Sequence, residues 1–528
     1  MSSPNRFLGS ALVVALSVCS APGALGFARG SGVCAAGDEL DVLEVVSKAR
    51  AALGLERLVE HPGAVRMRGS ALMRGTQARQ TDTFDGRGRR LQVFDGPLAM
   101  SSGFDGTTAW SVDWNRTARA LELGDRIDAD LSAGFLYGTW AGVGSGLGFV
   151  SARPVQGDVE LAFQDPAETF QGTLRIDGTS YLPESVTWTS SGSESTWTYG
   201  PFADHDGFRF PESVTLLASG STQTLATESI EFLEHVQADL FAPRPSPGTS
   251  TSFDADVPAE LEVRRARSGH LLVKAEIDGE DMGWFIFDTG AGTNCISTAV
   301  AHRLSAGPFG EMPARGIGGT VTSSFWRADH LRVGPLVMEG TVFLGLDLAF
   351  LDGPMGVQVA GILGYETIAR CVVEFDLDAP YIAFHDPETY ELAAEGTWEE
   401  VFLNGRHPNV RATFEGHEGI FKIDTGAAGS SIMFHAPAVR AFGLAEGRAT
   451  SPSSIGGVGG RVAVLQAELA SFELGGHAFG PMQVVLGTSE EGALTDPHVV
   501  GTMGGRMIEP FLLVFDYPHK RVGFVPEE

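Results

Sequence analysis

Alternation of hydrophobic and polar positions divides the chain into a short helical segment and two long strand-rich regions. Residues Asp41 to Leu53 place apolar side chains at helical spacing and Gly54 follows as a C-cap, which predicts one amphipathic helix. From about residue 64 to residue 236, short runs alternate apolar and polar residues. Because such alternation is typical of half-buried strands, we expect a large, curved antiparallel sheet with one packed helix.

Asp-Gly dipeptides separate alternating runs of this first region. Four of them are Asp85-Gly86, Asp95-Gly96, Asp105-Gly106 and Asp177-Gly178. An Asp-Gly pair between two alternating runs is a strong hairpin signal. We therefore expect each dipeptide to join two antiparallel strands.

The second strand-rich region contains one series of motifs written twice. Asp-Thr-Gly-Ala ends an apolar run at Asp288–Ala291 and again at Asp424–Ala427. A Gly-rich segment follows at 316–319 and at 454–457, and later a segment that begins with Gly at 361–368 and at 501–508. Because the order is the same and the spacing nearly so, the series indicates one unit repeated in tandem. A single Asp-Thr-Gly would be weak, since its ordinary interpretation is a turn.

The segment boundaries follow from these patterns. We expect a signal peptide at 1–26, an antiparallel β-domain at 38–241, a linker rich in Pro, Ser and Thr at 242–257, and the two copies at 258–390 and 396–528. The signal consists of Arg6, an apolar run too short to span a bilayer, and small residues around a cleavage site at 24–26. We therefore expect an exported protein, periplasmic or extracellular. Lipid anchoring through Cys19 is less favoured, because Val18 fits a lipobox poorly.

Composition excludes several classes of function. The formal net charge of −29 argues against a nucleic-acid binder and against adhesion to an anionic membrane, and we attribute it to solubility. No later segment is long and apolar enough to be transmembrane. Once Cys19 leaves with the signal, Cys34, Cys295 and Cys371 match no zinc or redox motif, so we expect no metal and no cofactor. A Cys295–Cys371 bridge stays open, although two buried thiols are favoured.

The first region resembles the bacterial lipoprotein-sorting (LolA-like) half-barrels. The similarity is carried by ARAALG at the helix end, FDGTTAW at Phe104–Trp110, LPESVTW at Leu182–Trp188 and FPESVTLL at Phe210–Leu217. The resemblance implies a concave apolar surface suited to a lipid or an extended peptide. The alternative is a domain that serves only as a scaffold or spacer.

Each copy in the second region resembles a subunit of a retroviral-type aspartic protease (retropepsin). That family has a strand ending in Asp-Thr-Gly-Ala, a Gly-rich flap hairpin, and an Ile-(Ile/Leu)-Gly segment, seen here at 362–364 and more loosely at 502–504. The resemblance implies an all-β dominated chain whose C-terminal half is a two-lobed β-barrel pair with pseudo-twofold symmetry. Because one chain supplies both halves, we expect a monomer with an intramolecular pseudo-dimer.

The resemblance also implies site residues. Asp288 and Asp424 would form the catalytic dyad, since two carboxyls that share one proton can serve as base and acid in peptide hydrolysis. The supporting residues would be Thr289, Gly290, Thr425 and Gly426, with each Thr hydroxyl reaching the backbone of the opposite loop. The flap residues would be Gly316, Ile317, Gly318, Gly319, Ile455, Gly456 and Gly457, closing over an extended polypeptide. The substrate-pocket residues would be Ile362, Leu363 and Met503. The apolar Phe285, Phe287, Phe421 and Ile423 would keep the dyad dry.

Two departures from the family pattern leave backbone recognition, and hence specificity, open. Gly292 and Ala428 stand where the family usually has Asp after the Ala, and Tyr365 and Gly505 stand where it usually has Arg. The leading interpretation is an exported aspartic endopeptidase. The alternatives are a non-catalytic peptide- or lipid-binding envelope protein built on a degenerate protease fold, and a structural envelope protein.

Overall fold

The computed structural model describes residues 39–142, 147–165, 169–190, 193–218, 221–237, 239–243, 251–304, 306–392, 396–490 and 492–526, and the backbone of a two-residue strand at Leu16–Ser17. The described chain forms two compact units. The C-terminal unit comprises Thr249–Pro308, Ala314–Glu528 and the strand at residues 16–17; the N-terminal unit comprises the remainder. Cys19, Cys34, the rest of the expected signal peptide and residues 244–250 of the expected linker lie outside the described residues.

The N-terminal unit is built on one thirteen-stranded sheet in which every described pair of neighbours is antiparallel. In spatial order its strands are Ala118–Ala120, Ala109–Val112, Met100–Phe104, Arg90–Asp95, Thr76–Phe84, Ala64–Met73, Ser221–Leu233, Ser213–Ala218, Ser193–Tyr199, Pro183–Ser190, Phe170–Ile176, Asp158–Gln164 and Gly148–Val155. A separate hairpin pairs Phe202–His205 with Phe208–Pro211. The four Asp-Gly dipeptides named above join paired antiparallel strands, so the predicted hairpins are confirmed.

The N-terminal unit has more helix than the sequence predicted. The expected helix is present at Val42–Leu53, where Asp41 accepts two backbone N–H groups and Gly54 ends the helix at φ 68°. The prediction of one helix was nevertheless wrong, because Leu55–Glu60 and Leu123–Tyr137 are also helical. The first of these spans six residues, and the buried side chains of the second crowd its C-terminal end, so neither shows a clear helical period.

Aromatic side chains hold the helix Leu123–Tyr137 against the sheet. The ring of Phe135 stacks on Trp188 with centroids 5.5 Å apart, and Tyr137 stacks on Phe84 at 4.2 Å. Such pairs contribute about 0.5–1.5 kcal/mol each beyond the burial of their area.

The first copy of the tandem unit forms a twelve-stranded sheet together with two strands that precede it in the chain, Leu16–Ser17 and Thr251–Phe253. In spatial order the strands are Leu16–Ser17, Ala306–Gly316, Gly319–Arg327, Val342–Leu346, Cys295–Ser297, Val359–Leu363, Glu280–Phe287, Leu271–Ile277, His330–Val333, Leu336–Glu339 and Thr251–Phe253, with Val263–Arg265 paired to Leu271–Ile277. The helices described here are Thr298–Ala301, Ala349–Met355 and Tyr365–Ile368.

The second copy contributes a ten-stranded sheet. In spatial order the strands are Ser451–Gly457, Gly460–Leu469, Met482–Gly487, Ile432–Phe434, Gly501–Met503, His417–Ile423, His407–Phe414, Phe472–Leu474 and His477–Phe479, with Phe402–Asn404 paired to His407–Phe414. The helical segments described here are Thr425–Ala427, Ala436–Ala441, Ala493–Thr495 and Gly505–Ile508.

A five-stranded sheet contains strands from both copies. Its order is Tyr381–His385, Val372–Asp376, Phe511–Asp516, Arg521–Pro526 and Thr397–Glu400. Val372–Asp376 of the first copy pairs antiparallel with Phe511–Asp516 of the second. Buried residues of both copies belong to one hydrophobic cluster, so the two copies share a core.

The described chain is β-dominated, as predicted, but the expected pair of closed barrels is not found. A barrel closes only when the first and last strands of a sheet pair with each other. In each described sheet these strands have one neighbour only, so the sheets are open. Within the described ranges, no helix has the length and apolar character needed to cross a membrane.

The strands around the two Asp-Thr-Gly motifs are paired in the same way in both copies. We call Glu280–Phe287 and His417–Ile423 the first and second aspartate strands. The first pairs parallel with Val359–Leu363, and the second pairs parallel with Gly501–Met503. Their residues nearest the motifs are fully buried, which fits the apolar runs in the sequence.

Candidate active site

Asp288 and Asp424 each follow the last residue of an aspartate strand, and neither is exposed. The neighbouring parallel strand fixes each position. The backbone N–H of Asp288 donates to the carbonyl of Leu363 at 3.0 Å, and that of Asp424 donates to the carbonyl of Met503 at 2.9 Å. Each aspartate is therefore the first residue of a loop whose beginning is held by a buried, hydrogen-bonded strand end.

The two Asp-Thr-Gly loops are locked together by their threonines. The N–H of Thr289 donates to Thr425 Oγ1 at 3.0 Å, and the N–H of Thr425 donates to Thr289 Oγ1 at 3.0 Å. Each hydroxyl then donates to the strand before the opposite aspartate: Thr289 to the carbonyl of Ile423 at 2.9 Å and Thr425 to that of Phe287 at 3.1 Å. This reciprocal set of four bonds is buried, so it fixes the distance between the loops.

Glycine lets the loops approach until the carboxyl groups are neighbours. The N–H of Gly290 donates to Asp288 Oδ1 at 2.8 Å. A Cβ on Gly290 would lie 2.3–2.5 Å from the carboxyl atoms of Asp424, closer than atoms can pack. Asp288 Oδ2 and both oxygens of Asp424 have no well-formed hydrogen bond among the described protein atoms, although the backbone N–H groups of Gly426 and Ala427 lie close enough to lower the pKa of Asp424. These three oxygens are available to a shared proton, a solvent molecule or a substrate carbonyl.

Burial and mutual repulsion raise the proton affinity of this pair. Desolvation is the largest effect on Asp288 and the charge of Asp424 is the next, and together they raise its pKa well above its ordinary range. Desolvation also raises the pKa of Asp424, to about 6, against the opposing effect of Lys422. The pair therefore retains a proton at pH values at which an exposed aspartate has lost it.

Lys422 is a residue of the site that the sequence analysis missed. It lies two residues before Asp424, and its Nζ is 4.0 Å from Asp424 Oδ2 with the side chain 6% exposed. The equivalent residue of the first copy is Ile286, which is fully buried. The signal was available in the sequence as a lysine within an otherwise apolar strand end.

The expected flap residues lie at the tips of two hairpins that meet each other. We call these tips the first tip (316–319) and the second tip (457–460). The N–H of Gly318 donates to the carbonyl of Val458 at 3.0 Å. A Cβ on Gly318 would lie 2.2 Å from the backbone of Gly460, so only glycine fits this crossing. Ile317 and Ile455 are buried in a cluster that also contains Ala427, next to the second Asp-Thr-Gly loop. Gly316, Gly319, Gly456 and Gly457 complete the strand ends beside these contacts.

The expected substrate-pocket residues lie in the interior. Ile362, Leu363 and Met503 are all fully buried. In the strand register Leu363 stands beside Phe287, and Met503 stands beside Ile423. Their observed role is to position the aspartate loops, and contact with a substrate stays a prediction.

Further polar residues connect the loops of the two copies and were also missed. His270 Nε2 lies 2.8 Å from the carbonyl oxygen of Gly426, and burial lowers the pKa of His270 to about 4. Arg406 donates to the carbonyl of Gly292 at 3.3 Å and lies 3.8 Å from the buried carboxylate of Glu366. Sequence reasoning could not find these contacts, because they join positions 40 to 156 residues apart that only the tertiary fold brings together.

Two cysteines and one acidic cluster of the described residues were also candidates for chemistry. Cys295 and Cys371 are free and buried, and burial raises the pKa of both thiols, so the favoured prediction of two buried thiols is confirmed. Within the described residues, one group of three acids has ligand atoms within 4.8 Å of one another: Asp158, Asp177 and Glu184. Arg175 forms ion pairs with Asp158 and Glu184, which satisfies this cluster without a metal.

Comparisons with known proteins give two findings. A LolA superfamily protein from Nitrosomonas europaea matches 36% of this chain and 97% of its own, with 14% sequence identity and a TM-score of 0.27. No curated protein matches the chain. Residues 273–367, which contain Asp288 and the first tip, match the family model described as aspartyl protease.

Proposed function

We propose that the chain is an exported aspartic endopeptidase in which Asp288 and Asp424 together activate a water molecule for hydrolysis of a peptide bond. The observation that carries the proposal is the buried pair of carboxyls held by reciprocal threonine hydrogen bonds. The match of residues 273–367 to the aspartyl protease family supports a hydrolase of this type. The equivalent strand pairings around Asp424 support a second copy of the same half-site in a retropepsin-like pair.

The chemistry follows from one proton shared by two carboxyls. The ionised carboxyl takes a proton from water as the oxygen attacks the scissile carbonyl, and the protonated one donates a hydrogen bond to the carbonyl oxygen. Burial strengthens both interactions, because little water competes with them. Collapse of the tetrahedral intermediate breaks the C–N bond as the amine takes a proton from the dyad. General acid–base catalysis of this kind contributes about 10²–10⁴-fold to a rate.

The substrate would be an extended polypeptide lying between the aspartates and the two tips. In the full chain Leu16–Ser17, part of the proposed signal peptide, lies antiparallel to Ala306–Gly316, with Leu16 opposite Gly316. The edge of the first tip hairpin can therefore accept an extended segment through backbone hydrogen bonds, which require no particular side chain, and cleavage of the signal peptide would free this edge for a substrate. The tip glycines would let the hairpins separate for entry and close again.

The N-terminal unit would take an apolar ligand, either a lipid or a peptide. It contains a cavity of about 680 Å³ whose walls include the apolar Phe84, Leu131, Trp140 and Phe170 together with five arginines, which could pair with a ligand's acidic group. This volume lies within the usual range for small-molecule sites. Binding of a fluorescent fatty-acid probe tests the proposal: the wild-type protein should bind the probe and Leu131→Arg should not. Probe binding by a Leu131→Arg variant that keeps the wild-type circular dichroism would contradict the proposal.

Peptidase activity of the protein recovered after export tests the main proposal. We expect pepstatin-sensitive cleavage of a peptide library between about pH 3 and pH 7, lost in Asp288→Asn and in Asp424→Asn. Asp281→Asn is the matched control, because Asp281 is an exposed acid on the first aspartate strand. Cleavage that survives both dyad substitutions, or wild-type protein without cleavage at any pH, would contradict the proposal. Recovery from outside the cytoplasm tests export.

A further inference from the structure

The two aspartates of the dyad stand in unequal surroundings. Lys422 lies on the second aspartate strand and Asp424 follows that strand in extended conformation, so the two residues, two positions apart, share a face. The Lys422 Nζ is 4.0 Å from Asp424 Oδ2, and the two side chains are 6% and 0% exposed. In the first copy the same position holds Ile286, which is also fully buried but carries no charge. One half-site thus has a buried cation and the other has a hydrocarbon.

We propose that Lys422 is a positioning residue that breaks the equivalence of the dyad, holding the shared proton on Asp288 and making Asp424 the base that activates water. The proposal deepens the proposed function and rests on it. An opposite charge within about 4–6 Å favours the ionised form of a carboxyl, and a buried pair is little screened by salt. Asp288, with no cation on its own strand face, is then the carboxyl that donates to the scissile carbonyl oxygen.

The other titratable groups of this region do not offset the asymmetry. The titratable groups that interact electrostatically with the dyad or with the surroundings of Lys422 are Cys295, Arg315, His435, Asp496, His498 and Tyr517. Burial, with Lys422 next, lowers the pKa of His435 to about 3, so its imidazole is neutral at working pH. Asp496 is already engaged: it accepts from Asn404 at 2.6 Å and from the N–H of His498 at 2.8 Å.

The proton affinities of the two carboxyls agree with this assignment. Interaction between the carboxyls raises the pKa of Asp288 and lowers that of Asp424. Lys422 is the largest influence that opposes desolvation at Asp424, whereas at Asp288 it ranks behind a backbone hydrogen bond. The cation therefore acts chiefly on the carboxyl that it neighbours.

The pH profile of peptide cleavage in Lys422→Met tests the proposal. Removing the cation should shift the acid limb of kcat/KM upwards by about one to three pH units, because the monoanionic dyad loses its stabilising charge. Lys422→Arg keeps the charge and should leave the limb near its wild-type position. Ile286→Met is the packing control at the equivalent position, and its limb should not move even if its rate falls. Asp496→Asn removes the neighbouring acid and should leave the limb in place.

A second readout separates this proposal from the proposed function. Infrared difference spectroscopy follows carboxyl protonation without any substrate. Lys422→Met should raise the pH at which the buried carboxyls ionise by a similar amount, relative to Ile286→Met. Active enzyme with unmoved limbs and unmoved carboxyl bands would overturn the role of Lys422 alone. Absence of cleavage by the wild-type protein would overturn the proposed peptidase function. The infrared titration would still decide whether Lys422 makes the two carboxyls unequal in proton affinity.

Discussion

The two Asp-Thr-Gly loops share their hydrogen bonds but differ in the charge that lies beside them. Each aspartate donates its N–H to a parallel neighbouring strand, and each threonine makes the same two contacts across the interface. Only the second loop has a buried cation, Lys422, at the position that Ile286 occupies in the first.

This difference separates what geometry requires from what chemistry can vary. The reciprocal hydrogen bonds of the threonines require both loops to be alike, because each loop supplies the hydrogen-bond partners of the other. Acid–base work needs the two carboxyls to be unlike, because one must be protonated while the other is ionised. A chain that carries both halves can change one half alone, which two identical subunits cannot do.

Removal of either carboxyl should have the largest effect on peptide cleavage. Asp288→Asn and Asp424→Asn should each lower kcat/KM by about 10³-fold or more, since either change removes one partner of the shared proton. Peptide cleavage at the pH optimum measures the loss. Residual activity near the wild-type level in one variant would mean that the two carboxyls do not act as a pair.

The stability of the same two variants should differ, because only Asp424 has a buried cation beside it. Asp424→Asn leaves the Lys422 ammonium buried without its counterion, which costs about 3–5 kcal/mol of unfolding free energy. Asp288→Asn removes a buried carboxyl that has no cation beside it and should change stability by less than about 1 kcal/mol. Denaturant unfolding at pH 7 compares them. Equal losses would contradict the asymmetry.

The threonines should behave alike where the aspartates differ. Thr289→Val or Thr425→Val removes a buried hydroxyl that both accepts from and donates to the opposite loop. Each change leaves an N–H and a carbonyl unsatisfied and should cost about 2–4 kcal/mol. Unfolding experiments on both variants check that the two losses of unfolding free energy match. A large difference between them would contradict the reciprocal hydrogen bonding of the two threonines. Thr→Ser at each position should restore most of the loss.

A lone buried acid in the N-terminal unit shows what burial does without a second carboxyl. Asp82 is fully buried and hydrogen-bonded to Gln80, Gln92 and Tyr137, and burial raises its pKa to about 7. A raised pKa means that the folded state binds the proton of Asp82 more tightly than the unfolded state does. The resulting stabilisation is complete below about pH 4 and is lost as the pH rises to about 7.

The remaining expected effect concerns this residue. Asp82→Asn should remove the pH-dependent loss, a gain on the order of 4 kcal/mol at pH 8 relative to pH 4, because the pKa is raised from 3.8 to about 7. Hydrogen exchange of the strand Thr76–Phe84 reports it locally. A wild-type strand whose protection does not fall between pH 4 and pH 8 would contradict the account of Asp82.

The sequence predicted those features of the fold and site that depend on local turn and capping preferences or on the repeated motif. The Asp-Gly hairpins and the capped helix at Val42–Leu53 follow from turn and capping preferences, which act over a few residues. The meeting of Asp288 with Asp424 was expected from the duplicated motif, and the structure brings them together. The open sheets were not predicted, because closure depends on strand register across the whole unit.

The missed residues share one physical cause. Strand alternation puts Lys422 on the face of Asp424, but only tertiary packing decides whether its ammonium is buried or solvated. The contacts of Arg406 with Gly292 and of His270 with Gly426 join loops of different copies. The helix Leu123–Tyr137 is held by the rings of the sheet below it and lacks a strong period of its own.

A proton shared by Asp288 and Asp424 should be visible in the pH dependence of wild-type peptide cleavage. A dyad that works with one proton is inactive when both carboxyls are protonated and again when both are ionised. We predict a bell-shaped profile of kcat/KM with an optimum on the acid side of neutrality. A rate that rises steadily to alkaline pH would contradict the account, because the catalytic group would then not be a pair of carboxyls sharing a proton.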